Sequence, residues 1–356
     1  MPAMALPVEP PLSPMLAKLA DEIPEGKGWS YEPKWDGFRG IVFKDGSDIQ
    51  IMSRDKRTLE RYFPELLVLL ADSLPNRCVV DGEIVIPGPH GLEFDSLLQR
   101  IHPAESRINM LAEKTPSSFV VFDLLALDKK VMMDAPLSER RQVLVESLGT
   151  PKKKDADAAI KEVATIGKGH RRFLIGPWTE NASDAAGWLD RYERIGLDGV
   201  VAKKLDSSYE PNKRGWMKIK QHRTCDCVVG GYRINKTGDG IGSLLLGLYD
   251  QSKTLHYVGH TSGFKAQERR DLLARFSKLE GPGGFGEGRS PGGESRWTGG
   301  KDTSWVSIKP QVVCEVGFDR LLGGRFRHAV TFLRWRPDRK PPSCTFDQLP
   351  DFLRPF

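Results

Sequence analysis

The fold of this chain is set by residues 30–54, which read SYEPKWDGFRGIVFKDGSDIQIMSR. Within this stretch, residues 30–44 and 49–54 alternate roughly between apolar and polar side chains, which is typical of strands that bury one face. Between them, Asp45–Asp48 reads DGSD, and Asp and Gly favour the tight turns that connect antiparallel strands. The first predicted element is therefore a β-hairpin.

The register of this hairpin has a chemical consequence. A four-residue turn pairs Lys44 with Ile49, and counting outward places Arg39 opposite Arg54 on the same face. Two neighbouring guanidinium groups repel each other unless an anion lies between them, and guanidinium groups bind phosphate well. The hairpin therefore predicts a phosphate site.

Beyond the hairpin, the first part of the chain predicts a mixture of helices and strands. Apolar residues at helical spacing indicate helices near residues 58–73, 94–101, 138–147 and 182–194. Strand patterns occupy residues 78–86, 119–127, 198–203 and 215–220.

From about residue 223, short strands and glycine turns dominate. The strands read CVVGGYRI, SLLLGLYD, LHYVGHT, WVSIKPQVVCEVGFD and VTFLRWRP, and one helix is expected near 264–279. Five short strands and one helix suit a small closed barrel of the OB type. We therefore predict an α+β chain, in which a domain of antiparallel sheets with helices (1–222) is followed by an OB-fold β-barrel (223–356).

Three connecting segments are expected to be irregular. Residues 150–159 read TPKKKDADAA, and this charge predicts a solvated loop or the start of a helix. The Gly-rich stretch 281–301 predicts a mobile loop. Gln221–Asp226 joins the two domains and is the predicted hinge.

Composition narrows the class of protein. With 356 residues, 39% of them hydrophobic and 28% charged, the chain fits a folded two-domain protein. Its net charge of +6 favours a polyanionic partner such as nucleic acid, although a merely basic surface explains it equally well. Neither a secretion signal nor an apolar run near the roughly 18 residues of a membrane span is seen. We therefore expect a cytoplasmic protein.

The five cysteines do not predict a disulfide framework in a chain of this length. They contain no C-x-x-C pair, which disfavours a zinc ribbon. Cys225 and Cys227 begin an apolar run, so they are expected to be core residues rather than metal ligands.

Lys34-Trp35-Asp36-Gly37 has the form K-x-D-G. A lysine that is partly deprotonated by burial or by cationic neighbours can attack an α-phosphate and form a lysine–nucleotide bond. The pattern alone is weak, because a surface lysine before a turn has the same form. Arg39 and the predicted proximity of Arg54 strengthen the catalytic interpretation, but without the rest of the chain the surface lysine is the better interpretation.

Carboxylates follow on two later strands. Asp81 and Glu83 are two residues apart, so their side chains share a strand face and suit a hard cation. Asp198 precedes another apolar strand and offers a third carboxylate. Alternatively, the first pair is a turn aspartate followed by an exposed glutamate.

Basic and aromatic side chains complete the pattern. Lys218 and Lys220 share the face of a short strand, which fits a triphosphate clamp or an ordinary solvated face. Phe122 lies on the strand 119–127 and is either a ring that stacks on a base or plain core.

Taken in order, these segments resemble the covalent nucleotidyltransferase superfamily, and most of all the ATP-dependent DNA ligases of the small actinobacterial ligase C type. The matching segments are EPKWDGFRG (32–40), SRDKR (53–57), DGEIV (81–85), FVVFDLLALD (119–128), DGVVAKK (198–204), WMKIK (216–220) and FLRWRPDRKP (332–341). GSLLLGLYD and YVGHTSGF are similar to the OB domain of bacterial repair ligases. The resemblance covers nearly the whole chain, and it implies an adenylation domain at 1–222.

This resemblance implies a role for each matching residue. It makes Lys34 the nucleophile that is adenylated by ATP. It places Glu32 beside the adenine and stacks Phe122 on it. Arg39 and Glu83 are expected to hold the ribose side.

The same resemblance assigns the phosphate contacts. Arg54 is expected to contact the 5′-phosphate of a DNA nick, and Lys218 and Lys220 to hold the nucleotide phosphates. Arg336 and Asp338, in the second domain, are expected to swing onto the pyrophosphate during the first step only.

The resemblance also implies a Mg²⁺ or Mn²⁺ ion that contacts Glu83 and Asp198. Trp35 and Arg214 complete the expected nucleotide-contacting set. The family usually has Glu at the position of Asp198, and the shorter side chain puts direct metal contact there in doubt.

A second departure concerns the last motif, which usually reads R-x-D-K. Here Arg336-Pro337-Asp338 is followed by Arg339 and then Lys340. A planar guanidinium is not equivalent to an ammonium, so either Arg339 or Lys340 fills the last position.

The implied activity is ATP-dependent sealing of nicks in double-stranded DNA, in DNA repair, by a monomer that works with repair polymerases. The rivals are a GTP-dependent mRNA capping enzyme or an RNA ligase, which share the lysine motif. An NAD-dependent ligase lacks support, because the cysteine zinc module of that family has no counterpart here. A non-catalytic nucleic-acid-binding protein explains the charge and the barrel pattern but not the ordered motifs.

Overall fold

The computed structural model describes residues 4–149, 155–165, 171–221, 223–285, 291 and 304–355. The chain forms two compact units, Met1–Gln221 (unit 1) and His222–Phe356 (unit 2). None of the helices in the described ranges combines the length and the apolar character that crossing a membrane requires.

Unit 1 is built on two sheets. Its strands are, in chain order, β1 (Ala17–Ala20), β2 (Trp29–Trp35), β3 (Phe38–Asp45), β4 (Asp48–Ser53), β5 (Arg77–Val85), β6 (Ser118–Leu127), β7 (Lys130–Val131), β8 (Phe173–Ile175), β9 (Leu197–Lys204) and β10 (Trp216–Ile219). One sheet has the order β1-β10-β9-β2 and the other β4-β3-β5-β6-β7, with β8 paired to β6. Pairing is antiparallel except for β1 with β10 and β8 with β6.

The predicted hairpin is β3–β4, and its register is confirmed. Lys44 pairs with Ile49, and the ladder runs outward to Gly40 opposite Ser53. Arg39 and Arg54 are the next positions in this register. The turn is shorter than the predicted four residues, because Asp45 and Asp48 pair with each other and only Gly46 and Ser47 form the turn.

The two sheets of unit 1 share their apolar cores. Tyr31 and Trp35 of β2 belong to one buried cluster with Val85 of β5 and Val120 of β6. A second cluster joins Ile41, Phe43, Val79 and Leu125 of the larger sheet to Trp216 of β10. Because burial of this apolar surface stabilises the pairing of the sheets, the polar residues between them are held in fixed positions.

The helices of unit 1 are α1 (Pro64–Ser73), α2 (Phe94–Gln99), α3 (Glu105–Lys114), α4 (Leu137–Ser147), α5 (Ala156–Ala164) and α6 (Ala182–Arg191), and a 3₁₀ turn spans Glu60–Tyr62. The first helix begins later than predicted because Pro64 occupies its first turn, where a proline fits. The sequence analysis missed α3. Asp155 caps α5 by accepting a hydrogen bond from Asp157 N, so the charged stretch starts a helix there, and residues 150–154 lie outside the described residues.

Unit 2 contains β11 (Arg223–Ile234), β12 (Ile241–Tyr249), β13 (Leu255–Thr261), α7 (Ala266–Phe276), β14 (Val306–Phe318), β15 (Leu321–Leu322), β16 (Arg325–Phe326) and β17 (Thr331–Trp335), with 3₁₀ turns at Ser277–Leu279, Pro341–Ser343, Phe346–Gln348 and Asp351–Leu353. Cys225 and Cys227 lie in its apolar core, as predicted. Part of the predicted hinge, residues 223–226, is regular strand in β11. Most of the predicted loop 281–301 lies outside the described residues.

The predicted closed OB barrel is not confirmed. The expected strands form a five-stranded sheet of order β13-β12-β11-β14-β17, which is open among the described residues. Its edges are linked by the backbone hydrogen bond from Val330 N to His260 O (3.0 Å), one residue before β17. β17 is only five residues long, and β16 of the small β15–β16 hairpin contacts β13.

Candidate active site

Lys34 lies near the end of β2, just before the turn that leads into β3. Gly37 lies in this turn, and a Cβ atom added to it would come within 2.2 Å of the carbonyl oxygen of Ile84 on β5. No side chain fits in that space, so the K-x-D-G pattern requires its glycine for steric reasons. The close approach brings Lys34 into the same cleft as Glu83.

Lys34 is engaged by Asp198 of β9. Its Nζ lies 2.5 Å from Asp198 Oδ2, and Lys220 Nζ lies 3.1 Å from the same oxygen. Burial alone would raise the pKa of Asp198, but the two lysines outweigh it and lower that pKa. Asp198 is therefore an ionised carboxylate between two ammonium groups.

Lys218 adds to this positive charge. Its pKa is lowered, first by burial and then by Lys34, Lys220 and Arg54. A lowered lysine pKa caused by cationic neighbours means that these groups lie close enough to repel one another. The region is therefore prepared for a polyanion such as a triphosphate.

Arg39 is held by the fully buried Asp81. Its Nε donates to Oδ1 at 2.7 Å and its Nη2 to Oδ2 at 2.5 Å, which is a bidentate ion pair. The predicted repulsion between Arg39 and Arg54 is thus relieved within the protein, because Asp81 compensates the charge of Arg39. The guanidinium also lies 5.1 Å from the ring centre of Phe122 and 4.8 Å from that of Trp216.

Tyr209 contacts Asp81 and so supports the Arg39–Asp81 ion pair. Its hydroxyl donates to Asp81 Oδ2 at 2.6 Å and accepts from the backbone N–H of Met15 at 3.0 Å. Burial, followed by the charge of Asp81, raises the pKa of Tyr209 well above its usual value. The predicted pairing of Asp81 with Glu83 around a cation is therefore wrong for Asp81, whose Oδ2 accepts from both Arg39 and Tyr209.

Glu83 remains as a carboxylate in the cleft. Burial raises its pKa to about 7, against the opposing effects of Lys34 and Arg39. Such a group is close to half-protonated at neutral pH, and a cation placed beside it would stabilise its ionised form.

The smaller sheet of unit 1 presents one row of side chains to the cleft. Leu19 of β1 is in register with Lys218, Lys218 with Val201, and Val201 with Glu32 of β2. All four residues line the cleft. The sequence analysis missed the contribution of β1, because a four-residue edge strand carries no strong pattern.

Glu32 is buried between two cations at one end of this row. Arg141 of α4 donates to its Oε1, and Lys203 Nζ lies 2.7 Å from its Oε2. Lys203 also lies over the rings of Trp216 (4.1 Å) and Phe122 (4.6 Å). Neither cation was identified from the sequence, although the alternation of β9 could have indicated Lys203.

The cleft has a volume of about 360 Å³, which is within the range of small-molecule sites. Its lining contains most of the predicted site residues, namely Glu32, Lys34, Trp35, Arg39, Arg54, Glu83, Phe122, Arg214 and Lys218. Asp198 contacts Lys34, which lines the cleft, and Lys220 in turn contacts Asp198.

The two remaining predicted residues lie in unit 2. Arg336 Nη2 lies 2.8 Å from Asp338 Oδ2, and Arg336 Nη1 lies 2.9 Å from Asp226 Oδ1. Arg339 Nε lies 3.0 Å from Asp226 Oδ2, whereas Lys340 is exposed. Arg336 and Asp338 therefore form a cluster of their own around Asp226.

Residues 14–220 match the family model of the ATP dependent DNA ligase domain, and residues 237–339 match that of the ATP dependent DNA ligase C terminal region. The chain belongs to the ATP-dependent DNA ligase family. DNA ligase C1 of Mycolicibacterium smegmatis is 47% identical to this ligase, over 97% of this chain and 96% of the relative.

Two further relatives extend the comparison. The multifunctional non-homologous end joining protein LigD of M. smegmatis is 29% identical over 91% of this ligase, which matches 38% of that longer protein. A solved structure of a Lig E DNA ligase, at 16% identity, superposes with a TM-score of 0.55 and covers 91% of this chain and 99% of its own. It shows that the two proteins share a fold.

These matches confirm the predicted family and the predicted activity, ATP-dependent DNA ligation. They also confirm the α+β class. They disfavour the capping-enzyme, RNA-ligase and NAD-dependent alternatives, and a binding protein without catalysis.

Proposed function

We propose that this ligase joins a 5′-phosphate to a 3′-hydroxyl at a nick in double-stranded DNA, and that Lys34 carries the AMP. The observation that supports Lys34 most directly is its place in the cleft. Its Nζ contacts the ionised Asp198, and Lys218, Lys220 and Arg54 lie close by. This arrangement gives a nucleophile a site where phosphates are attracted.

In the first step, the lone pair of Lys34 Nζ forms a bond to the α-phosphorus of ATP. The bond from that phosphorus to the bridging oxygen breaks, and pyrophosphate leaves with the electron pair. Nζ must lose a proton to solvent to become a nucleophile, and Asp198 Oδ2, at 2.5 Å, holds this nitrogen in place. Lys218 and Lys220 would stabilise the phosphates as charge shifts toward pyrophosphate.

The nucleotide would be positioned by the cleft walls. Phe122 would stack on the adenine, and Glu32, fixed by Arg141 and Lys203, would lie beside it. Arg39, fixed by Asp81, and Glu83 would hold the ribose side. Trp35 and Arg214 line the same cleft and would complete the contacts.

In the second step, an oxygen of the 5′-phosphate attacks the phosphorus of AMP and the Lys34 N–P bond breaks. Arg54 would contact this 5′-phosphate, since it lines the cleft near Lys218. In the third step, the 3′-hydroxyl oxygen attacks the 5′-phosphorus, loses its proton to solvent, and AMP leaves. Arg336 and Asp338 of unit 2 would act on pyrophosphate in the first step only.

The residues present fit a divalent cation, Mg²⁺ or Mn²⁺, that is held mainly by the substrate. The described part of the chain has no cluster of three or more His, Cys, Asp or Glu that could cage a metal ion. Mg²⁺ is commonly held by one or two carboxylates together with substrate phosphates. Glu83 suits that role because a cation would stabilise its ionised form, whereas two lysines already stabilise the ionised form of Asp198. When bound, the ion would offset charge on the phosphates.

We further propose that residues 1–222 act as the adenylation domain and 223–356 as the second domain, in a cytoplasmic monomer. A role in DNA repair is supported by the LigD relative, whose name places that protein in non-homologous end joining. Repair polymerases are proposed partners because a repair ligase seals the nick that remains after a gap has been filled. Binding to nicked DNA is expected to weaken with salt, because basic side chains displace counterions from the phosphates.

The deciding experiment is intact-mass measurement of the protein after incubation with ATP, followed by peptide mapping. We expect one added AMP on Lys34 in the native chain and none in Lys34→Ala, with nick binding still measurable. Lys27→Ala removes an exposed lysine outside the cleft and should keep the adduct. Labelled AMP that stays on denatured Lys34→Ala would show that another residue is the nucleophile.

Substrate tests separate the alternatives. We expect adduct formation with ATP but not with GTP, and sealing of DNA nicks but not of RNA nicks. A GTP adduct would favour the capping-enzyme interpretation.

A further inference from the structure

Asp226 is an acidic residue in the buried part of β11, directly before the apolar run of residues 227–229. Its neighbours Cys225 and Cys227 both point into the core of unit 2, where their sulfur atoms lie 3.5 Å apart. Because successive side chains of a strand point to opposite faces, Asp226 must point away from that core. Its side chain is nevertheless only 9% exposed.

The backbone of Asp226 is held in place by Gln348. The Asp226 N–H donates to Gln348 Oε1 at 2.9 Å, and Gln348 Nε2 donates to the Asp226 carbonyl oxygen at 3.1 Å. A backbone fixed on both sides gives the carboxylate a defined position.

That carboxylate binds two guanidinium groups. Arg336 Nη1 donates to both of its oxygens, at 2.9 and 3.1 Å, and Arg339 Nε lies 3.0 Å from Oδ2. The other side of the Arg336 fork is taken by Asp338, which accepts from Nε and Nη2. Arg336 is therefore clamped between two carboxylates, of which only Asp226 lies in a strand of the central sheet.

The surrounding charges explain why arginines gather there. Asp226 is in register with Glu315 of β14, which is in register with Arg334 of β17. Two neighbouring carboxylates on adjacent strands repel unless cations lie between them. Arg334 binds Glu315 at 2.6 Å, and Arg336 lies 3.9 Å from Glu315, so the last motif supplies these cations.

We propose that Asp226 is a positioning residue for the adenylation step, which holds Arg336 and Arg339 ready to act on pyrophosphate. The contact between Arg339 and Asp226 also assigns the lysine position of the R-x-D-K motif to Arg339 rather than to the exposed Lys340. This inference rests on the proposed role of Arg336 in the first step.

The expected effect is on the rate rather than on ATP affinity. Without Asp226, the two guanidinium groups lose their common anchor and must be ordered during the reaction. Misplacement of a catalytic group by about 1 Å can cost about 100-fold in rate. Asp226 itself would touch neither the nucleotide nor the DNA, so sealing of a nick that already carries AMP should proceed normally.

The test measures single-turnover adenylation at several ATP concentrations, and separately the sealing of a pre-adenylated nick. We expect Asp226→Asn to lower the saturated adenylation rate about 10- to 100-fold, with a smaller change in KM for ATP and no change in sealing. Asp226→Glu keeps the charge and should restore part of the rate. Unchanged adenylation in Asp226→Asn, or equal losses in both assays, would overturn the inference.

A double-mutant cycle shows whether Asp226 acts through Arg336. The pair Asp226→Asn and Arg336→Ala should be slower than Arg336→Ala alone by no more than the several-fold that the Arg339 contact contributes, whereas fully multiplied losses would mean independent roles and overturn the inference. If Arg336→Ala adenylates normally, the proposed role of Arg336 fails and the inference fails with it. If only Arg336→Ala is impaired, the proposed role stands and Asp226 is not its positioning residue.

Three further variants serve as controls, and they test the inference even if Asp226→Asn does not fold. Arg339→Lys keeps the charge but loses the Nε contact, so adenylation should slow several-fold while sealing is kept. Lys340→Ala and Lys236→Ala, which removes an exposed lysine of unit 2, should adenylate at the native rate. A larger loss in Lys340→Ala than in Arg339→Lys would overturn the assignment of Arg339.

Discussion

Lys34 Nζ lies 2.5 Å from Asp198 Oδ2, and that same oxygen is 3.1 Å from Lys220 Nζ. One carboxylate therefore links the proposed nucleophile to a proposed phosphate ligand. The position matters because the resemblance to the ligase motifs implies the longer glutamate there. With aspartate, the carboxylate is used by the lysines, which leaves Glu83 as the better candidate for a cation.

Asp198→Asn should impair adenylation far more than the sealing of a pre-adenylated nick, because Lys34 forms no bond in the last step. We expect a loss of about 100-fold or more, since the neutral amide does not balance the charge of the two ammonium groups beside it. Rapid-quench measurement of the AMP adduct gives the rate. Asp198→Glu restores the charge with a different reach and should recover part of the activity. Equal adenylation by the asparagine variant and the native ligase would exclude Asp198 from this step.

The sequence predicted the hairpin register because it depends on local patterns, whereas cleft residues such as Glu32, Trp35 and Arg214 followed only from the resemblance to the ligase motifs. Alternation and the DGSD turn gave the pairing of Lys44 with Ile49, which fixes the register of β3 and β4. The closed barrel is not confirmed among the described strands, and the number of strands in a sequence does not determine closure.

Partners that are distant in sequence could not be predicted in the same way. Tyr209 reaches Asp81 across 128 positions, and Arg141 reaches Glu32 across 109. Their contacts depend on how the two sheets of unit 1 pack, and a single sequence carries no signal for that. The sequence therefore left Asp81 open between a cation site with Glu83 and a turn, and neither alternative contained its contact with Arg39.

Tyr209→Phe tests the buried support of Arg39. The substitution removes a hydroxyl that donates to the fully buried Asp81, and hydrogen bonds to charged groups contribute about 1.5–3 kcal/mol. We expect the free energy of unfolding of unit 1 to fall by about that amount. Because Arg39 then loses part of its orientation, KM for ATP should rise a few-fold.

Urea denaturation and adenylation kinetics measure these two effects. Asp81→Asn should raise KM more strongly than Tyr209→Phe, because it breaks the bidentate pair itself. If the tyrosine variant shows native stability and native KM, the Tyr209–Asp81 contact does not support the site.

The pH dependence of adenylation should report Glu83. Burial raises its pKa to about 7, so the protonated form dominates below pH 7 and the carboxylate dominates above it. Only the carboxylate attracts a divalent cation, hence the rate at limiting Mg²⁺ should increase as the pH rises through about 7. Raising the Mg²⁺ concentration favours the ionised form by mass action, so it should move this midpoint to lower pH.

Glu83→Gln cannot ionise and should lose both the midpoint near 7 and its dependence on Mg²⁺, whereas the native ligase should keep them. A native profile that is flat between pH 6 and 8, or a midpoint that is insensitive to Mg²⁺, would show that Glu83 is not the cation-binding carboxylate.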